Sequence, residues 1–129
     1  MIEDIGGVTS QLASLALDAA LLRHEVIANN IANVDTPGYQ AKRLNFEEQL
    51  VGFTTALRSG NEEMLKDRID SLKMAMENSD AMVESRNETV ELDREMVKLT
   101  ENTLSYQALL QAMSKRGDII KMAVKEGRQ

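Results

Sequence analysis

Two runs of apolar residues, one near each end of the chain, recur in alternating steps of three and four. That rhythm restricts the chain to long helices that pair. Near the N-terminus the positions are Leu12, Leu15, Ala19, Leu22 and Val26, continued by Asn29 and Asn33. Toward the C-terminus they are Leu92, Met96, Leu99, Thr103, Tyr106, Leu110, Met113, Gly117, Ile120 and Val124. A mean step of about 3.5 residues held over several heptads marks a coiled-coil seam. At about 1.5 Å per residue the C-terminal seam runs about 50 Å. In a chain of 129 residues the obvious pairing is one terminal helix folded back on the other, antiparallel. The candidate interface is therefore Leu12, Leu15, Leu22, Val26, Asn29 and Asn33 with Met96, Leu99, Tyr106, Leu110, Met113 and Ile120. Glu91, Asp93 and Glu95 at the start of the second helix, and Lys121, Lys125 and Arg128 at its end, match the polarity of a helix dipole.

The first helix carries more apolar surface than one seam needs. A second stripe, Leu17, Leu21, His24, Ala28 and Ile31, lies beside the first. Between Gln11 and Asn33 only Asp18, Arg23 and Glu25 bear formal charge. A helix apolar over most of its circumference must be covered on most sides. A compact four-helix bundle would cover it from within the chain. Neighbouring copies would cover it from outside, and the small size of the chain favours that second arrangement.

Between these ends the pattern shortens. Phe46, Leu50, Phe53 and Leu57 form one helical stripe, stopped by Ser59-Gly60-Asn61. Leu65, Ile69, Leu72 and Met76 form another, with Asn61 placed as its N-cap and Glu62 four residues before Lys66. Asn78-Ser79-Asp80 has turn composition, and residues 77–90 are polar and loop-like. The N-terminal helix ends in Asn29-Asn30-Ile31-Ala32-Asn33-Val34-Asp35-Thr36-Pro37-Gly38-Tyr39. Pro37 pushes Thr36 out of the helical region, and Pro37-Gly38 suits the central pair of a type II turn. Asn29 and Asn33 fall on the seam, where a polar Asn sets register and partner number at some cost in stability. The chain thus divides into an N-terminal coiled-coil helix (1–34), a turn and connector with short helices (35–90) and a C-terminal coiled-coil helix (91–129), all one structural unit. The fold class is all-α, two long helices joined by a Pro-Gly turn and a shorter helical or irregular connector.

Composition removes most chemistry. With no Cys and one His there is no thiolate nucleophile, disulfide or clustered metal site, and no cofactor is expected. His24, flanked by Arg23 and Glu25, suits an interface or solvated position. Gly6-Gly7 lacks the pattern of a phosphate loop. The carboxylates are spread along helices, so an enzyme is not expected. A net charge of −6 argues against nucleic acid as the main partner. No run approaches the length of a transmembrane helix. Met1-Ile2-Glu3-Asp4 has no basic n-region, so no cleaved secretory signal is expected.

The stretch Asn29–Tyr39 resembles the N-terminal signature of the flagellar rod, hook and hook-associated axial proteins, an Asn-rich helix end followed by a Thr-Pro-Gly-Tyr turn. The motif residues are Asn30, Asp35, Thr36, Pro37, Gly38 and Tyr39. Within that group the chain resembles the flagellar basal body rod protein family, most of all its proximal rod members. Ala41-Lys42-Arg43-Leu44-Asn45-Phe46, Val90-Glu91-Leu92-Asp93-Arg94-Glu95, and Asn102 with Tyr106-Gln107-Ala108 are similar to the corresponding stretches there. The resemblance covers roughly residues 10–46 and 88–125. Gln40 departs from it, standing where a basic residue commonly follows the Tyr. The helical pattern of the middle departs too, since the resemblance implies an irregular or partly extended connector.

The resemblance implies a structural rod subunit that polymerises, transmits torque, forms part of an export channel wall and is needed for motility. Its implied partners are itself, other flagellar rod proteins, the basal-body adaptor and membrane ring, and the flagellar type III export gate. Its implied place is the rod in the periplasmic space, reached without a cleaved signal. Gln107, Gln111, Ser114 and Lys115 are then candidates for the channel lining. Phe46 and Leu50 are a candidate export-gate motif, although Phe-x-x-x-apolar spacing is more simply that of an i,i+4 pair on a core-facing helix. The alternative from another class is a soluble helical export chaperone or adaptor, which suits the acidity and the exposed stripes.

Overall fold

The computed structural model describes residues 2–45 and 47–127, and most of them are helical. Helix α1 spans Ile2–Ala32, strand β1 Lys42–Leu44, α2 Glu47–Ser59, α3 Glu62–Glu77, β2 Val83–Ser85 and α4 Leu92–Gly127. A single 3-10 turn, Ser79–Met82, joins α3 to β2. The two long helices pack against each other, and α3 and β1 pack on α1 as well. Asn102 of α4 reaches the carbonyl of Ala20 at 2.7 Å, whereas Glu95 meets Asn30 at 3.2 Å. Residue numbers therefore run in opposite directions along the pair, which is antiparallel.

α1 continues without a break because no Pro interrupts it; the chain's one Pro, Pro37, lies beyond its end. The helix then unwinds through two linked turns. Asn33 donates its side-chain amide to the carbonyl of Asn29 at 2.8 Å, a second donor for an acceptor that Asn33 N also reaches at 3.1 Å. Thr36 N donates to Asn33 O at 3.0 Å and Tyr39 N to Thr36 O at 3.2 Å. The second turn encloses Pro37 and Gly38, with Gly38 at φ 76°, a conformation that a side chain with Cβ resists.

Polarity governs which face of α4 turns inward. From Leu92 to Lys115 the residues that are not exposed are Glu95, Leu99, Asn102, Tyr106, Leu109 and Met113. Their steps alternate four and three, so the periodicity of the seam is present. The frame is shifted for every second position, however. Glu95, Asn102 and Leu109 lie inside, where the apolar pattern placed Met96, Thr103 and Leu110, all three of which are exposed. Hydrophobicity cannot locate a seam whose inward positions include a carboxylate and an amide.

The middle corrects the expectation of a loop over 77–90. β1 and β2 form an antiparallel ribbon with Lys42 opposite Ser85, Arg43 opposite Glu84 and Leu44 opposite Val83. Backbone bonds Ala41 N to Glu88 O (2.8 Å), Arg86 N to Ala41 O (2.9 Å) and Asn45 N to Met82 O (2.8 Å) extend it at both ends. Strands of three residues leave almost no periodic trace, and their side chains here are largely polar. α2 and α3 make a helical hairpin turned at Gly60 (φ 67°), and Asn61 caps α3 by accepting Glu63 N at 3.0 Å. Ile69 and Ala56 are buried within this region, while Leu15, Ala20, Val26, Ile27, Ala41 and Met82 complete the described core. Phe46 of the candidate export motif lies outside the described residues, as do the side-chain placements of Leu50 and Ile120.

Candidate assembly interface

Where α1 ends, four parts of the chain converge on one amide. Asn30 is 1% exposed. Its Nδ2 donates to Lys42 O at 2.7 Å and to Glu95 Oε2 at 3.2 Å. Its Oδ1 accepts from Lys42 N at 2.9 Å and from the Tyr39 hydroxyl at 3.1 Å. Asn30 thus pairs with both backbone groups of Lys42, as a neighbouring strand would, and joins α1 to the turn, the ribbon and α4. Every hydrogen-bonding valence of the amide that a buried site can use is filled, which is the condition for a polar group to be tolerated there.

Glu95, 3% exposed, is a buried carboxylate held by Asn30 and by Lys98, whose ammonium lies 3.3 Å away. The pKa of the Tyr39 hydroxyl is raised, first by burial, which desolvates a phenolate, and second by the negative charge of Glu95, which repels one. The Lys42 ammonium sits 5.8 Å from the centre of the Tyr39 ring. Two helical turns further along α4, Asn102 (5% exposed) binds Ala20 O. Two polar side chains of α4 thereby grip the backbone or end of α1.

The interface set drawn from periodicity is distributed unevenly. Leu15 and Val26 are buried, and Leu12, Leu22, Asn33, Leu99, Tyr106 and Met113 are half-buried. Asn29, Met96 and Leu110 face solvent. Among the three asparagines it is Asn30, not Asn29 or Asn33, that turns inward, since Asn29 is exposed and Asn33 caps the helix end. Of the turn motif, Asn30 and Tyr39 enter the polar node, while Asp35, Thr36, Pro37 and Gly38 are exposed and shape the path between them. Periodicity missed Lys42, Glu95 and Asn102. Only the Asn30 amide in a helix-ending motif hinted that polar partners were needed.

The outer face of α4 presents the opposite chemistry. Leu92, Met96, Val97, Leu104, Leu110 and Met122 are between 43% and 62% exposed. α1 leaves Leu21 exposed beside a groove shared with Lys73, Met76 and Glu77 of α3. Among the described residues no cluster of His, Asp and Glu could hold a metal ion, and no helix is long and apolar enough to cross a membrane.

Residues 11–40, which contain the end of α1 and the turn, match the model of the flagella basal body rod protein family. Flagellar basal body rod protein FlgB of Bacillus subtilis is 30% identical over 123 residues, covering 93% of this chain and 95% of the relative. FlgB of Escherichia coli is 32% identical over 110 residues, covering 77% and 80%. FlgB of Borrelia hermsii is 29% identical over 107 residues, covering 74% and 79%. These names support a rod subunit and lend nothing to the chaperone or adaptor alternative.

Proposed function

The chain belongs to the family of flagellar basal body rod proteins of the FlgB type, and from that membership we propose that it polymerises through the outer faces of its two terminal helices. It is a structural subunit of the rod. The observation that carries the proposal is the set of exposed apolar residues on α4, Leu92, Met96 and Leu110 flanking the seam and Val97, Leu104 and Met122 on the far side, on a helix that is already paired with α1. Apolar area left in water costs about 25 cal/mol per Å². Apolar side chains exposed along so much of one helix of a small chain suit a surface that neighbours cover. In the assembled rod the α1–α4 pair continues as a coiled coil with its neighbours, transmits torque and forms part of the wall of the export channel. The exposed polar positions Gln107, Gln111, Ser114 and Lys115 suit that lining. The subunit's partners are other copies, other rod proteins, the basal-body adaptor and membrane ring, and the type III export gate. It assembles in the periplasmic space.

Leu104→Asp tests this directly, because Leu104 is 61% exposed and the isolated chain loses little by the change. Cells lacking the native chain should regain swimming and rods when given the wild type, but not when given Leu104→Asp. The purified variant should melt within about 2–4 °C of wild type, the shift that a small surface effect produces. Motile cells with normal rods built from Leu104→Asp subunits would show that the outer face of α4 is not the contact.

A further inference from the structure

In a chain of net charge −6, five of the 15 Lys and Arg side chains gather around one cleft. Arg23, Lys42, Arg43, Arg86 and Lys98 line it against two carboxylates, one of them the Glu95 already engaged by Asn30 and Lys98. Val26, Ile27 and Leu44 supply an apolar surface within the same cleft, whose volume is about 380 Å³. Asn102 lines it too. Its Nδ2 is occupied by Ala20 O, while among the described residues Oδ1 has no hydrogen-bond donor although the atom is buried. A buried acceptor without a donor is destabilising.

The complementary feature lies on α3. Its inward line is Leu65, Ile69, Leu72 and Met76. On the opposite side of the helix Glu63, Asp67, Asp70, Met74 and Glu77 recur in steps of four and three, all exposed. Met74 stands in the middle of this acidic row at 70% exposure. Lys66 and Lys73 fall on the flank and leave the row itself without a cation.

We propose that the acidic outer face of α3 of one copy docks on the basic cleft between α1, the ribbon and α4 of the next, with Met74 as its apolar anchor. Both the charge and the apolar parts match: a row of four carboxylates meets a cleft in which cations outnumber carboxylates by three, and a flexible thioether meets Val26, Ile27 and Leu44. The two surfaces are different patches of one chain, so the contact is heterologous and repeats from copy to copy instead of closing as a two-fold dimer. This contact rests on the polymerising rod subunit described above and names one of its interfaces.

The test is association of the purified chain, followed by light scattering and sedimentation against concentration. Wild type should associate progressively, and less so as salt shortens the range of charge interactions. Arg86→Glu and Asp70→Lys should each raise the concentration of half-association about tenfold, and the double variant should recover most of the loss. Since the chain has no Cys, Met74→Cys mixed with Ser105→Cys should form a disulfide-linked pair that neither variant forms alone; Ser105 lines the cleft and is exposed. Association unchanged by either reversal, no recovery in the double variant, or cross-linking of Met74→Cys with itself would each overturn the contact and leave the rod subunit standing. Wild type that stays monomeric at every concentration would overturn polymerisation itself, and this contact with it.

Discussion

The two ends of the α1–α4 pair are held by different chemistry. At the ribbon end Asn30, Glu95 and Asn102 turn inward beside the apolar Val26, Ile27 and Leu99, and each of the three polar side chains makes directed hydrogen bonds. Further from the ribbon they are Leu12 and Leu15 on α1 and Tyr106, Leu109 and Met113 on α4. Apolar contacts are indifferent to a slip of one heptad along the helix, whereas an amide bound to one backbone carbonyl is not. The ribbon end therefore sets the register and the far end adds burial. The division suits a subunit that must keep one internal alignment while offering apolar surface to neighbours.

The sharpest way to break this comparison is Asn30→Leu. The substitution adds apolar bulk yet removes partners from Lys42 N, Lys42 O, the Tyr39 hydroxyl and Glu95 at once. Leaving a buried carboxylate and two backbone groups short of partners should cost about 3–5 kcal/mol in chemical denaturation. If Asn30→Leu is as stable as wild type, the node does not hold the pair together. Leu15→Ala is the matching change at the apolar end. Leu15 is buried, and its truncation should cost about 2–3 kcal/mol by lost transfer energy and a residual cavity. A larger loss for Leu15→Ala than for Asn30→Leu would reverse the roles assigned to the two ends.

The same contrast explains what could be seen in the sequence. Long terminal helices, the stop at Asn33, the Pro37-Gly38 turn composition and the Asn61 cap all follow from local rules and were legible. Leu99, Tyr106 and Met113 were placed on the inward face because they are apolar and periodic. Glu95 and Asn102 were not, since a pattern of hydrophobicity treats an inward carboxylate as an outward one. Asn29, Asn30 and Asn33 look alike in sequence. Only the position of Lys42, delivered by the turn and the ribbon, decides which of them is buried. The ribbon itself was hidden because pairing between residues 42–44 and 83–85 is a long-range event between strands too short to announce themselves.

Gly38→Val probes how the ribbon is delivered to Asn30. Gly38 has φ 76° and open space around its Cα, so the expected penalty is backbone strain and not a clash. A β-branched residue held there should cost about 1–3 kcal/mol. Hydrogen exchange should report the loss at Tyr39 and Lys42 before the far end of the pair responds. Uniform loosening along the whole pair would mean that the turn acts on both ends alike.

The mildest change, Tyr39→Phe, separates the hydroxyl from the ring. The hydroxyl donates one bond to Asn30 Oδ1, which keeps its second donor, Lys42 N, at 2.9 Å. The ring stays beneath the Lys42 ammonium. The loss should therefore be about 1 kcal/mol, that of one neutral hydrogen bond. The pH dependence carries more information than the size. Burial first and Glu95 second raise the Tyr39 pKa in the folded chain above its ordinary value of 10.0. The folded state thus holds its phenolic proton where the unfolded chain releases it. Stability from this group is complete below pH 10.0 and is lost as pH rises from there through the raised folded value. Removing the hydroxyl should flatten the fall in stability over that alkaline interval relative to wild type, with other tyrosine and lysine titrations common to both proteins. Parallel curves for the two proteins would mean that Tyr39 is free to ionise, and that the polar node does not extend to the turn.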